Sequence, residues 1–278
     1  MAVVDQQEAA ADTTAARREK VRQRKAKTWR DRWPPLAAVV GILVLWELIV
    51  VGFEVPTFIA PGPGEVVATM IERWPMLMMN LWPTALESLA GFALGNTIAV
   101  LIAVGFVHSR LAERAFYPIA VFINTIPIIA IAPILVLIFG NGFTPKIIIA
   151  ALICFFPTLV NVTRGLKAVN PATLELMHVL SASRWEVLIR VRLPSSLPFL
   201  FAALKIASTT CVIGAIVGEW IGSNVGLGAL IIEATYNFRS PLLYATVILA
   251  ASLAVVLFTI VTLLERRLIR WKVDAAAV

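Results

Sequence analysis

Four charged side chains stand inside apolar stretches of this chain: Glu47, Glu87, Lys205 and Glu219 lie in blocks otherwise built of Leu, Ile, Val, Ala and Phe. A charge at the centre of a bilayer costs at least about 2.5 kcal/mol, so such residues pair with one another, line a wet cavity or act on an ion or substrate. Glu47 sits in the first apolar block, where a snorkelling or helix-paired role fits. Glu87, Lys205 and Glu219, with Asn124 and Pro127, are the candidates for lining or gating a central cavity. Glu219 either borders that cavity or forms a structural pair with Lys205, and the three charges could also make a relay.

Hydrolytic and redox chemistry find no footing. The chain has no Gly-x-x-x-x-Gly-Lys-Ser/Thr phosphate loop, and Gly226-Leu227-Gly228 lacks the strand-to-helix context and third glycine of a dinucleotide site. No Ser, His and Asp set, His-Glu-x-x-His or paired aspartates fall in the apolar blocks, which argues against an intramembrane hydrolase. Cys154 and Cys211 both lie in apolar blocks, where a thiol is a small buried hydrophobe. His108 and His178 have no carboxylate or cysteine at ligand spacing and read as ordinary polar loop residues. No cofactor or metal is expected in this chain.

The elements that must position these residues cross a membrane. Of 278 residues, 59% are hydrophobic and 15% charged, against about 45 to 50% and about 25% in a soluble domain. The net charge of +7 raises the question of nucleic acid, and its distribution answers it. Twenty of the 24 basic residues fall in four segments, 17–32, 110–114, 164–192 and 266–272. All four lie on one side if the apolar blocks alternate across the bilayer, and the positive-inside rule makes that side the cytoplasm.

Residues 1–35 read as a basic cytoplasmic tail against anionic headgroups. The block from Leu36 to Phe53 is a short first span, and 56–66, rich in Pro and Gly, is an external loop leading to an interfacial helix over Glu65–Asn80. Leu81–Val107 is the second span, with Gly91, Gly95 and Ala99 making a small-residue packing face. Ala115–Gly140 is the third, interrupted by Pro118, Pro127 and Pro133 and therefore suited to lining a cavity. Lys146–Arg164, Ser195–Gly222 and Leu242–Leu264 complete six crossings, both termini returning to the cytoplasm. The domains so drawn are 1–35, 36–80, a core of 81–272 and a tail of 273–278. No convincing internal repeat marks a self-sufficient carrier.

Between the fourth and fifth spans runs a polar amphipathic island, Pro171–Pro194. A proline start, Thr173 as cap, Glu175 in the first turn and apolar Leu174, Met177 and Leu180 argue a helix, with Pro194 opening the next segment. Glu175, Ser181 six residues on, Val191 and Leu193-Pro194 resemble the EAA loop of ABC-importer permeases, the cytoplasmic helix that sits in a cleft of the ATPase. That family usually has two alanines where this chain has Leu176 and Met177, and a glycine where it has Ser181, so the break at Ser181 departs from the pattern. Thr84–Phe92, Asn124–Pro127 and Phe139–Gly142 resemble permeases of the nitrate, sulfonate and taurine group, which usually have arginine at the place of Glu87.

The resemblance covers residues 55–272 and implies an all-α type I ABC-importer permease in the plasma (inner) membrane, with six transmembrane helices and a coupling helix. It implies a second permease copy forming a homodimer, a separate ABC ATPase carrying ATP and magnesium, an extracytoplasmic binding protein, and contact with lipid but not nucleic acid. Coupling would fall to Glu175, Leu176, Met177, Ser181, Ala182, Ser183, Leu193 and Pro194. Acid in place of base at position 87 points to a neutral or weakly cationic heterocycle, such as a pyrimidine or thiamine precursor, before nitrate, a sulfonate or taurine. The alternative class is a secondary carrier or channel, which would need coupling residues of its own.

Overall fold

The computed structural model describes residues 33–35 and 37–269, and every regular element among them is helical. Two units separate at Glu65 and Val66. The first contains α1 (Trp33–Gly52), long and apolar enough to cross a membrane. Glu47 is exposed on it, and its carboxylate turns to the chain at Gly62, where a Cβ would fall 2.9 Å from Oε2. The basic tail and the segment 273–278 lie outside the described residues.

Helix α2 (Pro63–Glu72) leads into the second unit, which holds α3 (Trp74–His108), α4 (Arg110–Thr125), α5 (Ile128–Phe139), α6 (Phe143–Lys167), α7 (Pro171–Val179), α8 (Arg184–Val187), α9 (Leu193–Glu219), α10 (Leu227–Tyr236) and α11 (Ser240–Leu268). Five helices, α1 included, are long and apolar enough to span a membrane, and α4 with α5 makes a bent pair that counts as a sixth if taken as one crossing.

Helices α3, α6 and α9 form the centre. Their sequences permit unusually close approach: a Cβ on Gly95 would enter the Ala151 backbone, with Ala151 Cα at 2.9 Å, and one on Gly214 would lie 2.7 Å from Ala150 Cα. Gly91 and Gly218 press on the same stretch of α6. Without a hydrophobic drive between helices in lipid, such packing is what holds a bundle together. The small-residue face expected on the second span is therefore the seam of the core. Cys154 and Cys211 are buried between α6 and α9, with the Cys154 thiol donating to the Ala207 carbonyl at 3.4 Å. Away from the seam, Leu94, Leu101, Val255 and Leu263 are exposed, as lipid-facing side chains must be.

Four boundaries differ from the sequence expectation, each for a local reason. The interfacial helix ends at Glu72 instead of Asn80, because Pro75 takes one of the first two positions of a new helix, where its missing N–H costs nothing. The third span is broken: α4 and α5 meet at 96°. Ile126, forced out of helical conformation by Pro127, has ψ 125° and turns its N–H to Ile123. The Phe122 carbonyl left over accepts from the Thr125 hydroxyl at 2.7 Å. Pro194 does not open a new segment, since the chain stays helical from Arg184 to Glu219 through a π-turn at Leu188–Arg192. The wider turn lies directly ahead of a proline whose ring would crowd the Arg190 carbonyl in a tight helix. Finally α7 is capped by Asn170, whose side chain accepts from Ala172 N at 2.9 Å, and not by Thr173. Glu175 thereby falls in the second turn.

Candidate functional site

Three places gather the residues singled out above. The first is a buried polar cluster where the start of α3, the start of α6 and the end of α9 converge. Asn80, Thr84, Glu87 and Ser88 are all buried on one face of α3, as i, i+3 and i+4 spacing dictates. Glu219 ends α9 at 1% exposure, and its Oε1 accepts from the Thr84 hydroxyl at 2.6 Å while Oε2 accepts from the Gly228 N–H at 2.6 Å. The Thr84 oxygen also accepts from Leu227 N at 2.8 Å, and Asn80 Oδ1 from Gly226 N at 2.9 Å. The loop Ser223–Gly228 is thus tied by its backbone to α3 and α9. Gly226 holds φ 111°, and a Cβ there would collide with the Glu219 carboxylate, so no other residue fits.

Glu87, fully buried, meets Lys146 Nζ at 3.2 Å. That ammonium donates to Ser223 Oγ at 2.7 Å. Neither carboxylate oxygen of Glu87 makes a hydrogen bond among the described residues, so the Lys146 charge is its main support. Glu87 and Glu219 are electrostatic neighbours, and the two carboxyls share one ammonium.

Lys146 is the residue that sequence reasoning missed. It opens the fourth span, where a lysine passes for an interfacial anchor, yet it is only 5% exposed. The signal available was Gly218, whose Cβ would stand 3.0 Å from Lys146 Cα: a glycine next to an intramembrane glutamate marks a close neighbour. The pairing of Glu219 with Lys205 is corrected. Lys205 instead binds Glu265 of α11 at 2.6 Å. It lies fourteen residues before Glu219 on one continuous helix, about 21 Å away, so no three-residue relay forms.

The second place is a cavity of about 280 Å³ at the α4–α5 break. Asn124, Thr125 and Pro127 border it on one side, and Phe155 and Phe156 of α6 on the other, with no charged residue in its lining. Glu87, Lys205 and Glu219 do not reach it.

The third is the island between α6 and α9. The break at Ser181 is real and has a defined form: Ala182 N bonds the Met177 carbonyl at 3.0 Å and Ser181 N the His178 carbonyl at 2.9 Å, the paired bonds of a Schellman ending. Ser181 carries φ 54°, the left-handed region that glycine occupies without strain. Ser183 then starts α8 with reciprocal bonds to Glu186. Ser181→Gly should therefore raise the stability of the isolated permease by about 1 kcal/mol, read as a higher melting temperature in detergent, and Ser181→Val should lower it. A lower melting temperature for the glycine variant would contradict the strained turn.

On α7, Leu174 and Met177 are half-buried, whereas Leu176, Val179 and Leu180 are exposed beside exposed Glu175. The apolar face expected at Leu174, Met177 and Leu180 is thus divided: two members pack inward, and the outward surface is Leu176, Val179 and Leu180. Leu193 is half-buried and Pro194 exposed in the rod leading to α9.

Against known proteins, residues 95–270 match the family model described as binding-protein-dependent transport system inner membrane component. The riboflavin transport system permease protein of Chloroflexus aurantiacus is 34% identical over 87% of this chain and 92% of its own. The formylaminopyrimidine transport permease protein of Halalkalibacterium halodurans is 33% identical over 86% and 95%. A putative aliphatic sulfonates transport permease protein of Escherichia coli is 28% identical over 88% and 94%. Among solved structures, an inward-facing MetNI methionine ABC transporter chain matches with TM-score 0.61 at 20% identity, over 72% of this chain and 99% of that one, a likeness of fold.

Proposed function

Since the chain belongs to the family of binding-protein-dependent transport system inner membrane components, we propose that it is the permease of an ABC importer for a neutral aromatic heterocycle. As a permease subunit it is the membrane component of such an importer and not its ATPase, and it works with an ATPase and a binding protein. This sets aside the self-sufficient carrier.

The observation that carries the substrate class is the uncharged cavity at the α4–α5 break, with two phenylalanines facing an amide and a hydroxyl. Flat rings stack on Phe155 and Phe156, and Asn124 and Thr125 supply a donor and an acceptor for ring heteroatoms. A sulfonate would find no cation there. The relatives named for riboflavin and formylaminopyrimidine transport are also more alike in sequence than those named for sulfonates. In vesicles holding the assembled transporter and its binding protein, uptake of a labelled pyrimidine should be competed by riboflavin-like rings and not by alkyl sulfonates. Phe156→Ala should reduce it about tenfold, the loss of one stacking contact. Uptake competed by sulfonates alone would overturn this substrate class.

In this reading both termini are cytoplasmic, because the basic segments of the sequence fall on one side if the apolar blocks alternate across the bilayer. Single cysteines at Gly64 or Asn224 should label from outside with an impermeant reagent and one at Ser183 should not; labelling at Ser183 in sealed cells would invert the orientation. Two permease copies pair as a homodimer. The outward face of α7, Leu176, Val179 and Leu180 with Glu175, fits the cleft of the ATPase, and Ser181, Ala182, Ser183, Leu193 and Pro194 carry its motion into α9. At the other end, the Glu219 cluster holds the loop Ser223–Gly228 as the external gate. ATP shifts the population between two packings; it does not tighten a binding site.

A further inference from the structure

Beside the coupling segment lies an open cavity of about 440 Å³, between the end of α3, the start of α4 and the α7–α8 pair. It falls in the range of about 300 to 1,000 Å³ typical of small-ligand sites. Its polar lining is His108, Arg110, His178, Arg184 and Arg192, with no acidic residue among the residues that border it. The two histidines, expected from sequence to be ordinary loop residues, end α3 and α7 and face one space.

The arginines are set as donors. His108 Nδ1 donates to the Val104 carbonyl at 2.9 Å, which ties the ring to α3 at the cavity edge. The ring lies against Trp185, centroids 5.0 Å apart, which fixes its orientation. Arg192 is anchored by a 2.8 Å bond from one guanidinium nitrogen to the Leu166 carbonyl, leaving its other donors. The side chains of Arg110, Arg184 and His178 have no hydrogen-bond or ion-pair partner among the described residues. Nearby acids are committed elsewhere: Glu113 to Lys167, and Glu186 to Ser183. Three arginines around one space repel one another until an anion enters, and guanidinium forks suit a tetrahedral oxyanion. Arg110 also starts the sixteen-residue α4, whose N-terminus adds positive potential.

We propose that this cavity binds a phosphate group, as a lipid headgroup diester or a soluble phosphate ester. The last residue of the long α3 span borders the site, and the exposed indole of Trp185 is a side chain favoured at headgroup level. The apolar lining from Leu174, Val107 and Leu188 suits a glycerol moiety more than bare water.

The test uses the full chain, purified with its ATPase, and compares wild type with Arg110→Gln/Arg184→Gln; both arginines are exposed, so the substitutions leave folding unharmed. Arg266→Gln, a cation outside the cavity, is the control. Native mass spectrometry with phosphatidylglycerol against phosphatidylcholine should show at least tenfold weaker retention of phosphatidylglycerol in the double variant and wild-type retention in the control. If the source is soluble, glycerol phosphate titrated into phosphatidylcholine nanodiscs should bind wild type, and the double variant at least tenfold more weakly. Equal retention of both lipids together with no glycerol phosphate binding overturns the proposal. So does a double variant that binds phosphate ligands like wild type, or one that loses only its ATPase, since the cavity would then be part of the protein interface.

Discussion

Lys146→Met should deplete folded permease, and adding Glu87→Gln to the same chain should restore most of it. The pair is buried at 3.2 Å with side-chain exposures of 6% and 0%. Removing one partner of such a pair costs about 3 to 5 kcal/mol, because the other charge is left buried alone. Folded proteins are stable by only about 5 to 15 kcal/mol, so the single variant loses a large part of its margin. Glu87→Gln alone should hurt less, since Lys146 keeps Ser223 Oγ and the Glu219 charge. Melting temperature and yield in detergent measure all four proteins, and a coupling of about 2 kcal/mol between the two sites is expected. Strictly additive losses would show that Lys146 serves some other partner. Lys205→Met, paired with Glu265, should show no coupling to Glu219.

The second large effect concerns assembly. Glu175→Lys with Leu180→Asp should abolish co-purification of the ATPase while permease abundance in the membrane stays near normal. Both side chains are exposed, and Leu180 is 66% exposed, so the permease itself gives up little. Burying an aspartate where an apolar side chain docks leaves a charge without a partner, and a reversed charge in a matched cleft adds repulsion. Because Glu175 lies in the second turn, its effect on the helix dipole is minor and the loss would report on the partner. A variant that retains its ATPase and its substrate-stimulated hydrolysis would mean that α7 lies on lipid. Leu174→Asp is a useful contrast: Leu174 is half-buried, so it should damage the permease directly.

Much of this was legible in the residues. Apolar blocks gave the spans, and Gly91 and Gly95 marked the seam because only hydrogen can stand where Ala150 and Ala151 approach. The helix at Pro171 was readable from its proline start, whereas the break at Ser181 was harder to read without the glycine that the pattern usually has there. Three things were hidden, for separable reasons. Pro118, Pro127 and Pro133 look alike in sequence, yet only at Pro127 is the chain broken, where Thr125 takes up the freed carbonyl of Phe122. The partner of Glu87 could not be found by counting charges within spans, because Lys146 sits at a span's edge and reaches inward. The gathering of His108 and His178 depends on the fold: seventy residues separate them, and no spacing rule connects them.

The packing of Gly91 and Gly95 on one side of α6, and of Gly214 and Gly218 on the other, has a consequence for how the gene can change length. Deleting a single residue of α6 ahead of Ala150 would turn everything beyond it by about 100° relative to the start of the helix, swinging Ala150 and Ala151 away from the glycines on both sides. No compensating deletion in α3 or α9 alone could restore both contacts. The connection at Gly140–Gly142 carries less of this constraint: no Cβ on either glycine would meet a neighbour, although Asn141 abuts Gly222. Insertions and deletions among relatives should therefore collect at connections between helices, such as Gly140–Gly142, leaving the three central helices fixed in register however far the sequences diverge.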